Sequence, residues 1–211
     1  MAAKSNLINM VAVLGTVCLL CSGILAGAYV LTKEPIAAAA AEKTARSIGE
    51  VLPHFTETSY ESVEVDGKTF NYYKATEGET LVGYAVESTV VGFGGPLSLI
   101  VGVTPDGVVY NTSVLSHSET PGLGAKCTSD EKFISQWKGF DPSVKELSVR
   151  KDGGDVDAIT ASTITSRAYT LAVANALAAV KAIGGDVNAH TGASVWHGND
   201  GDNNEGGQDN E

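Results

Sequence analysis

The sequence predicts an α+β fold, in which a mostly antiparallel sheet is packed by helices and is carried on one N-terminal transmembrane helix. Three observations support this prediction. Residues 7–31 are almost wholly apolar, residues 59–117 alternate like β-strands with glycine-rich turns between them, and residues 164–183 are rich in alanine and leucine. The chain has 211 residues, 43% of them hydrophobic, and 24 glycines, which suits one principal domain with many turns.

The apolar N-terminal segment has the length of a membrane anchor. No charged residue lies between Lys4 and Lys33, and the run 7–31 exceeds the roughly 20 residues that a helix needs to cross a bilayer. A cleavable signal peptide is the alternative, because alanines 37–41 resemble a cleavage site, but its apolar core usually has only about 7–15 residues. Residues 1–33 are therefore expected to be a cytoplasmic stub and a single-pass anchor in the inner membrane. A very short leader of this kind usually stays inside, so the domain is expected on the extracytoplasmic side.

The segments after the anchor predict a helix and then a sheet. Alanine richness between two prolines predicts a linking helix over residues 34–55. The folded domain is expected over residues 56–192, and it begins with a hairpin that turns at Asp66-Gly67. Three or four further strands of a mostly antiparallel sheet are expected up to His117.

The second half of the domain predicts helices. Residues 130–140, "DEKFISQWKGF", are typical of a short amphipathic helix with Phe133 and Trp137 on one face. Residues 144–151 are expected to form another strand. A long helix is predicted from about residue 164 to residue 183, where a pair of glycines ends it.

The charge of the chain is strongly acidic. A formal net charge of −11 argues against a nucleic-acid partner, because few phosphates could be neutralised. From Gly198 onward the chain carries five acidic residues, no basic residue and almost no apolar one, so residues 193–211 are expected to end in an acidic disordered tail. Cys18 and Cys21 lie within the predicted anchor, which leaves Cys127 without a partner for an intramolecular disulfide.

The usual catalytic and metal-binding patterns are missing from the sequence. Its four histidines, His54, His117, His190 and His197, show no i, i+4 spacing and no cysteine cluster, so no zinc site is expected. No G-x-S-x-G motif occurs, which leaves a hydrolase built on His117 and a serine as a remote alternative. Cys127 has no identifiable base near it in sequence and is expected to be a partly buried structural thiol.

Three short segments stand out as candidate binding elements. Residues 92–96, "GFGGP", and residues 117–126, "HSETPGLGAK", contain glycines that permit close approach of a flat ligand or of another backbone. Glu119, Thr120 and the exposed amides of the second segment suit a polar ligand. Residues 157–168, "DAITASTITSRA", place five hydroxyl side chains directly before the long predicted helix.

The N-terminus of that helix is a candidate phosphate site. Its unpaired N–H groups and the positive end of the helix dipole favour an anion. Ser162 or Thr163 is placed as the helix cap, and Thr165 and Ser166 in the first turn add hydroxyl donors. Each of the three segments alone is equally typical of an ordinary turn or cap, so only their combination is specific.

Taken together, in order and spacing, the three segments resemble the FMN-binding domain of the G subunit of Rnf electron-transport complexes. The homologous C subunit of sodium-translocating NADH:quinone reductases is a close relative. The resemblance covers about residues 83–183. The family pattern is Asp, two variable residues, Ser or Thr, Gly or Ala, Ala, and then Thr. It matches this chain at Asp157, Thr160, Ala161 and Thr163, whereas Ser162 stands where the family usually has alanine.

In that family the last threonine of the pattern carries FMN through a phosphoester, which implies covalent FMN on Thr163 with Ser162 as a minor alternative acceptor. Attachment in the family is made by a dedicated flavin transferase that uses FAD and Mg²⁺ outside the cytoplasmic membrane. The resemblance also implies that Thr165 and Ser166 donate to the phosphate and that the glycine loops flank the flavin ring. The implied cofactor-binding residues are Thr163, Thr160, Ser162, Ile164, Thr165, Ser166, Gly94, Gly95, Glu119, Thr120, Pro121, Gly122, Leu123 and Gly124.

The resemblance implies a membrane-anchored flavoprotein subunit of an ion-translocating oxidoreductase. It would relay electrons between neighbouring redox subunits during ferredoxin- and NAD-linked ion transport, and it is not expected to be catalytic alone. Its implied partners are the other subunits, the flavin transferase and the membrane. Two alternatives stay open: the C subunit of a quinone reductase, and a tethered extracytoplasmic anion-binding module without a redox role. No charged residue lies within the predicted span, so no ion path through this chain alone is expected.

Overall fold

The computed structural model of this protein describes residues 7–184. They divide into two compact units, with the boundary between Arg46 and Ser47. The expected acidic tail over residues 193–211 lies outside the described part of the chain, as do His190 and His197.

The first helix, α1, extends over Leu7–Val51 and contains Pro35. Its N-terminal part is long and apolar enough to cross a membrane, and the large apolar side chains between Met10 and Ile36 are exposed. The sequence suggested two separate helices here, and the structure has one. Proline removes a single backbone hydrogen bond, and the alanine run that follows it has the highest helix propensity, so the helix continues.

The sheet is a five-stranded antiparallel meander in the order β1-β2-β3-β4-β5. Its strands are β1 (Glu57–Val65), β2 (Lys68–Glu77), β3 (Thr80–Val91), β4 (Pro96–Val103) and β5 (Val109–His117). The predicted hairpin is confirmed, because β1 and β2 are joined by Asp66 and Gly67, both with positive φ. The three further strands and the α+β class are confirmed as well.

Two α-helices follow the sheet. Helix α2 covers only Glu131–Ser135, shorter than expected, and the carboxylate of Asp130 accepts two of its first N–H groups. Helix α3 covers Thr163–Ile183 and ends at Gly184, whose φ is 100°.

The strand expected over residues 144–151 does not form. A single bridge pairs Val149 with Val156, and a 3-10 turn occupies Arg150–Asp152. The bridge is parallel, and the turn through Gly153, where φ is 91°, brings Val156 back beside Val149, so the segment pairs with its own continuation and not with the sheet.

Both faces of the sheet are covered within the second unit. On one face, α3 packs against β3 and β4 through small and aliphatic side chains. An aromatic cluster of Phe133, Trp137, Phe140 and Tyr169 joins this core, and the Tyr169 hydroxyl lies 2.7 Å from that of Thr112. On the other face, the last turn of α1 packs against the sheet. The residues of this second cluster are Ile48, Val51, Leu52, Ala75, Ala85 and Ile100. The N-terminus of α3 is thereby held next to the loops that follow β3 and β5.

Candidate functional site

The three segments singled out in the sequence meet at one pocket. It has a volume of about 340 Å³ and opens at the N-terminus of α3. Its lining residues are Phe93, Glu119, Thr120, Leu123, Gly124, Ala161, Ser162, Thr163, Ile164 and Thr165. Eight of the fourteen residues implied by the resemblance belong to this lining. The other six, Gly94, Gly95, Pro121, Gly122, Thr160 and Ser166, do not.

The carboxylate of Glu119 connects the three segments. One oxygen accepts the backbone N–H of Phe93 at 2.9 Å, and the other accepts the hydroxyl of Thr165, also at 2.9 Å. The Glu119 side chain is buried, with 5% of the residue exposed, and its own N–H donates to Nδ1 of His117. A buried carboxylate needs such donors because it has lost its water. The pocket is therefore built around one acidic side chain.

The glycines of the two loops make room for the Glu119 carboxylate and for the backbone next to it. A Cβ atom on Gly92 would overlap Oε1 of Glu119, and one on Gly94 would overlap the carbonyl oxygen of Ser118. A Cβ on Gly124 would overlap Oε2 of Glu119 and lie 2.6 Å from the Thr165 hydroxyl. The expected close approach of another backbone is found at Gly94, whereas Gly92 and Gly124 make room for side chains.

The crowded hydroxyls before α3 have different partners. Ser166 accepts the N–H of Ile159 at 2.9 Å and donates to the carbonyl oxygen of Ser162 at 3.0 Å. Thr165 donates to Glu119. The hydroxyl protons of Thr165 and Ser166, which were expected to be donated to a phosphate, are thus donated to acceptors within the protein. Ser166 also connects the loop that contains Ile159 to the first turn of the helix. Thr160 is exposed and outside the pocket.

Ser162 occupies the N-cap position of α3, but its side chain makes no capping hydrogen bond. Of the two residues expected at the cap, Ser162 holds the position, but it does not cap the helix through its hydroxyl. Its oxygen is buried and has no hydrogen-bond partner among the described residues. The backbone conformation, with φ −136° and ψ 46°, and the left-handed Ala161 before it (φ 61°) account for the sharp entry into the helix. Glycine would adopt this left-handed conformation without the steric cost that the Cβ of Ala161 brings.

Thr163 is the first residue of α3 and lies in the pocket lining, half-buried. Its hydroxyl oxygen is 3.4 Å from the Nζ atom of Lys151. Lys151 was missed in the sequence. The available signal was the Arg150-Lys151 pair, two adjacent cations in an acidic chain just before the hydroxyl motif.

Two ion pairs flank this lysine. Nε of Arg150 lies 2.6 Å from Oδ1 of Asp157, and Arg167 binds both carboxylate oxygens of Asp152, at 2.6 and 2.7 Å. The hydrogen bonds from Arg167 lower the pKa of Asp152 below its ordinary value. Asp157 is thus placed against a neighbouring cation, away from the pocket lining.

The remaining polar candidates have structural surroundings. Burial, and to a lesser degree the charge of Glu119, raises the pKa of the Cys127 thiol to about 11, so the thiol stays protonated at neutral pH. His54 is exposed beside Glu77. Within residues 7–184 no group of three or more His, Cys, Asp or Glu side chains could hold a metal ion.

The meander backed by α3 carries a pocket at the N-terminus of that helix, and α1 is long and apolar enough to cross a membrane. Residues 92–178 match the model of the family described as FMN-binding domain. The G subunit of the proton-translocating ferredoxin:NAD(+) oxidoreductase complex of Clostridium ljungdahlii is 35% identical, over 74% of this chain and 82% of its own length. The G subunit of the ion-translocating oxidoreductase complex of Methanosarcina acetivorans is 32% identical, over 86% of this chain and 98% of its own length.

Among solved structures, the C subunit of the Na(+)-translocating NADH-quinone reductase of Parabacteroides distasonis is 22% identical. The match covers 66% of this chain and 81% of that one, with a TM-score of 0.48. The identity and coverage of the two G subunits decide the family. The chain belongs to the family of G subunits of ion-translocating oxidoreductase complexes.

Proposed function

We propose that this chain is the covalent-flavin subunit of a membrane-bound, ion-translocating oxidoreductase of the Rnf type. It carries FMN on Thr163 and relays electrons between neighbouring redox subunits. The observation that supports this most strongly is the pocket itself, which gathers all three motif segments around the residue that matches the attachment threonine.

The pocket residues fit FMN. Phe93, Leu123 and Ile164 are apolar, partly exposed and suited to contact a flat aromatic ring. The N-terminus of α3 and Lys151 offer positive charge for a phosphate on Thr163. A volume of about 340 Å³ lies within the usual range for ligand pockets, about 300–1,000 Å³. FMN supplies the electron-carrying chemistry when bound, and the protein positions it and limits its contact with water.

Attachment requires a reactive hydroxyl that a flavin transferase can reach. The Thr163 oxygen attacks the flavin-side phosphorus of FAD, the bond from that phosphorus to AMP breaks, and the hydroxyl proton leaves to the transferase or to water. Both residues line the pocket, but the Thr163 hydroxyl is half-buried and accepts one hydrogen bond, from Lys151, whereas the Ser162 oxygen is buried. This difference supports Thr163 as the acceptor, with Ser162 as the minor alternative.

The same proposal assigns the surroundings of the protein. Helix α1 anchors the chain in the cytoplasmic membrane, residues 56–192 form the flavin domain, and that domain lies on the extracytoplasmic side with the transferase. Its electron donor and acceptor are other members of the complex. The family relatives favour the G subunit of an Rnf-type complex over the C subunit of a quinone reductase.

Intact-mass analysis tests the proposal. The chain is produced together with its flavin transferase, as wild type, as Thr163→Ala and as Ser162→Ala, and each gel is inspected for flavin fluorescence. We expect one added FMN moiety in the wild type and in Ser162→Ala, and none in Thr163→Ala. If flavin were lost in Ser162→Ala and kept in Thr163→Ala, the acceptor would be Ser162 and not Thr163. Wild-type protein without covalent mass would favour the non-redox anion-binding module.

A further inference from the structure

Three basic side chains surround the first turn of α3: Arg150, Lys151 and Arg167. The two arginines each form an ion pair, with Asp157 and Asp152 respectively. Lys151 forms no salt bridge within residues 7–184, and its ammonium group instead contacts the hydroxyl oxygen of Thr163 at 3.4 Å. One cation outside the ion pairs is thus directed at one particular hydroxyl.

The position of Lys151 is fixed by the turn that carries it. Within the 3-10 turn, Arg150 donates its N–H to Val156 and Asp152 donates its N–H to Val149. The Asp152 carboxylate then binds Arg167, which lies one helical turn beyond Thr163 on α3. A two-bond contact between planar groups constrains both distance and angle. This pair ties the turn to the helix and so holds the lysine beside the threonine.

We infer that Lys151 is the counter-ion of the phosphate on Thr163, an inference that rests on the proposed function. An ester on the Thr163 oxygen would place phosphorus one bond from the atom that Lys151 already contacts. The diester would keep one negative charge in a chain whose formal net charge is −11. The helix N-terminus contributes only about half an elementary charge, and both arginines are already paired.

The contact also assists attachment. The diphosphate of FAD is negatively charged and must approach the Thr163 hydroxyl of an acidic protein. The positive charge of Lys151 beside that hydroxyl attracts the diphosphate. Lys151 is exposed, so its effect is reduced by water and by salt. We expect its loss to slow attachment by about 3- to 10-fold at low ionic strength.

The test measures attachment to the flavin-free full-length chain by purified transferase with FAD and Mg²⁺, followed by intact mass. It compares Lys151→Met, Lys151→Arg and Lys138→Met, the last being an exposed lysine elsewhere on the domain. We expect slower attachment in Lys151→Met only, with a weaker salt dependence than in the wild type, and rescue by Lys151→Arg. In the loaded proteins, the ³¹P resonance of the phosphodiester should shift in Lys151→Met and stay unchanged in Lys138→Met.

Equal rates and equal ³¹P shifts in wild type and Lys151→Met would overturn the inference, and the proposed function would stand because flavin is attached. If Lys151→Arg attached flavin as slowly as Lys151→Met, the inference would also be overturned, because the positive charge at position 151 would then not be the cause. Absence of flavin from every protein, the wild type included, would instead contradict the proposed function.

Discussion

Replacement of Glu119 tests whether one buried carboxylate holds the pocket together. Its two oxygens accept the Phe93 N–H and the Thr165 hydroxyl, each at 2.9 Å, and these bonds join segments 26 and 46 residues away in sequence. In Glu119→Ala both donors lose their acceptor. We therefore expect the flavin-free protein to be destabilised before any flavin is considered.

The size of the effect follows from the two bonds. A hydrogen bond to a charged acceptor contributes about 1.5–3 kcal/mol, so two of them contribute about 3–6 kcal/mol. Relief from burying the carboxylate offsets part of this, which leaves a net loss of about 2–4 kcal/mol in Glu119→Ala. Glu119→Gln keeps the acceptor for Phe93, and Thr165 can rotate to accept from the amide, so its loss should stay below about 1.5 kcal/mol.

The assay is urea unfolding of the detergent-solubilised full-length chain, followed by far-ultraviolet circular dichroism. Thr165→Val removes one of the two bonds and serves as the partner in a double-mutant cycle with Glu119→Ala. A Glu119→Ala variant within about 0.5 kcal/mol of wild type would refute the reasoning. Additive losses in the cycle would show that Glu119 and Thr165 do not interact.

Two further predictions concern the surroundings of the carboxylate and the helix entrance. Gly124→Ala should destabilise the flavin-free protein by about 3 kcal/mol, because the added Cβ would displace Glu119 from Thr165. Gly122→Ala should destabilise it by only about 1 kcal/mol, because the left-handed φ of 76° is the sole cause there. Equal urea midpoints for the two variants would contradict this. Asp152→Asn should lower the free energy of unfolding by about 0.5–1 kcal/mol at neutral pH. Because the pKa of Asp152 is lowered in the folded state, the stabilisation is present above the ordinary value of 3.8 and disappears as pH falls below it. Urea unfolding at several pH values checks this, and a difference that persists at low pH would rule out the ion pair as its source.

The elements of the fold that depend on nearby residues could be predicted from the sequence. The apolar run of α1, the turn at Asp66-Gly67 and the glycine stop of α3 follow from hydrophobic periodicity and turn chemistry, which act over a few residues. The strand expected over residues 144–151 does not form because a strand needs a partner, and the turn through Gly153 places Val156 beside Val149 in place of a strand of the sheet.

Local sequence features are enough to indicate the long apolar helix, the acidic character and the order of the three motifs that point to the family. How the side chains of those motifs divide their tasks follows from the tertiary structure. Glu119 binds across 46 residues to Thr165, Ser166 turns back to Ile159, and Lys151 reaches Thr163 from a separate turn. These contacts depend on how α3 packs against the sheet. The pattern of residue types alone does not give that placement. The same hydroxyl groups could cap a helix, hydrogen-bond to a neighbouring loop or accept a cofactor, and only their neighbours in space distinguish these roles.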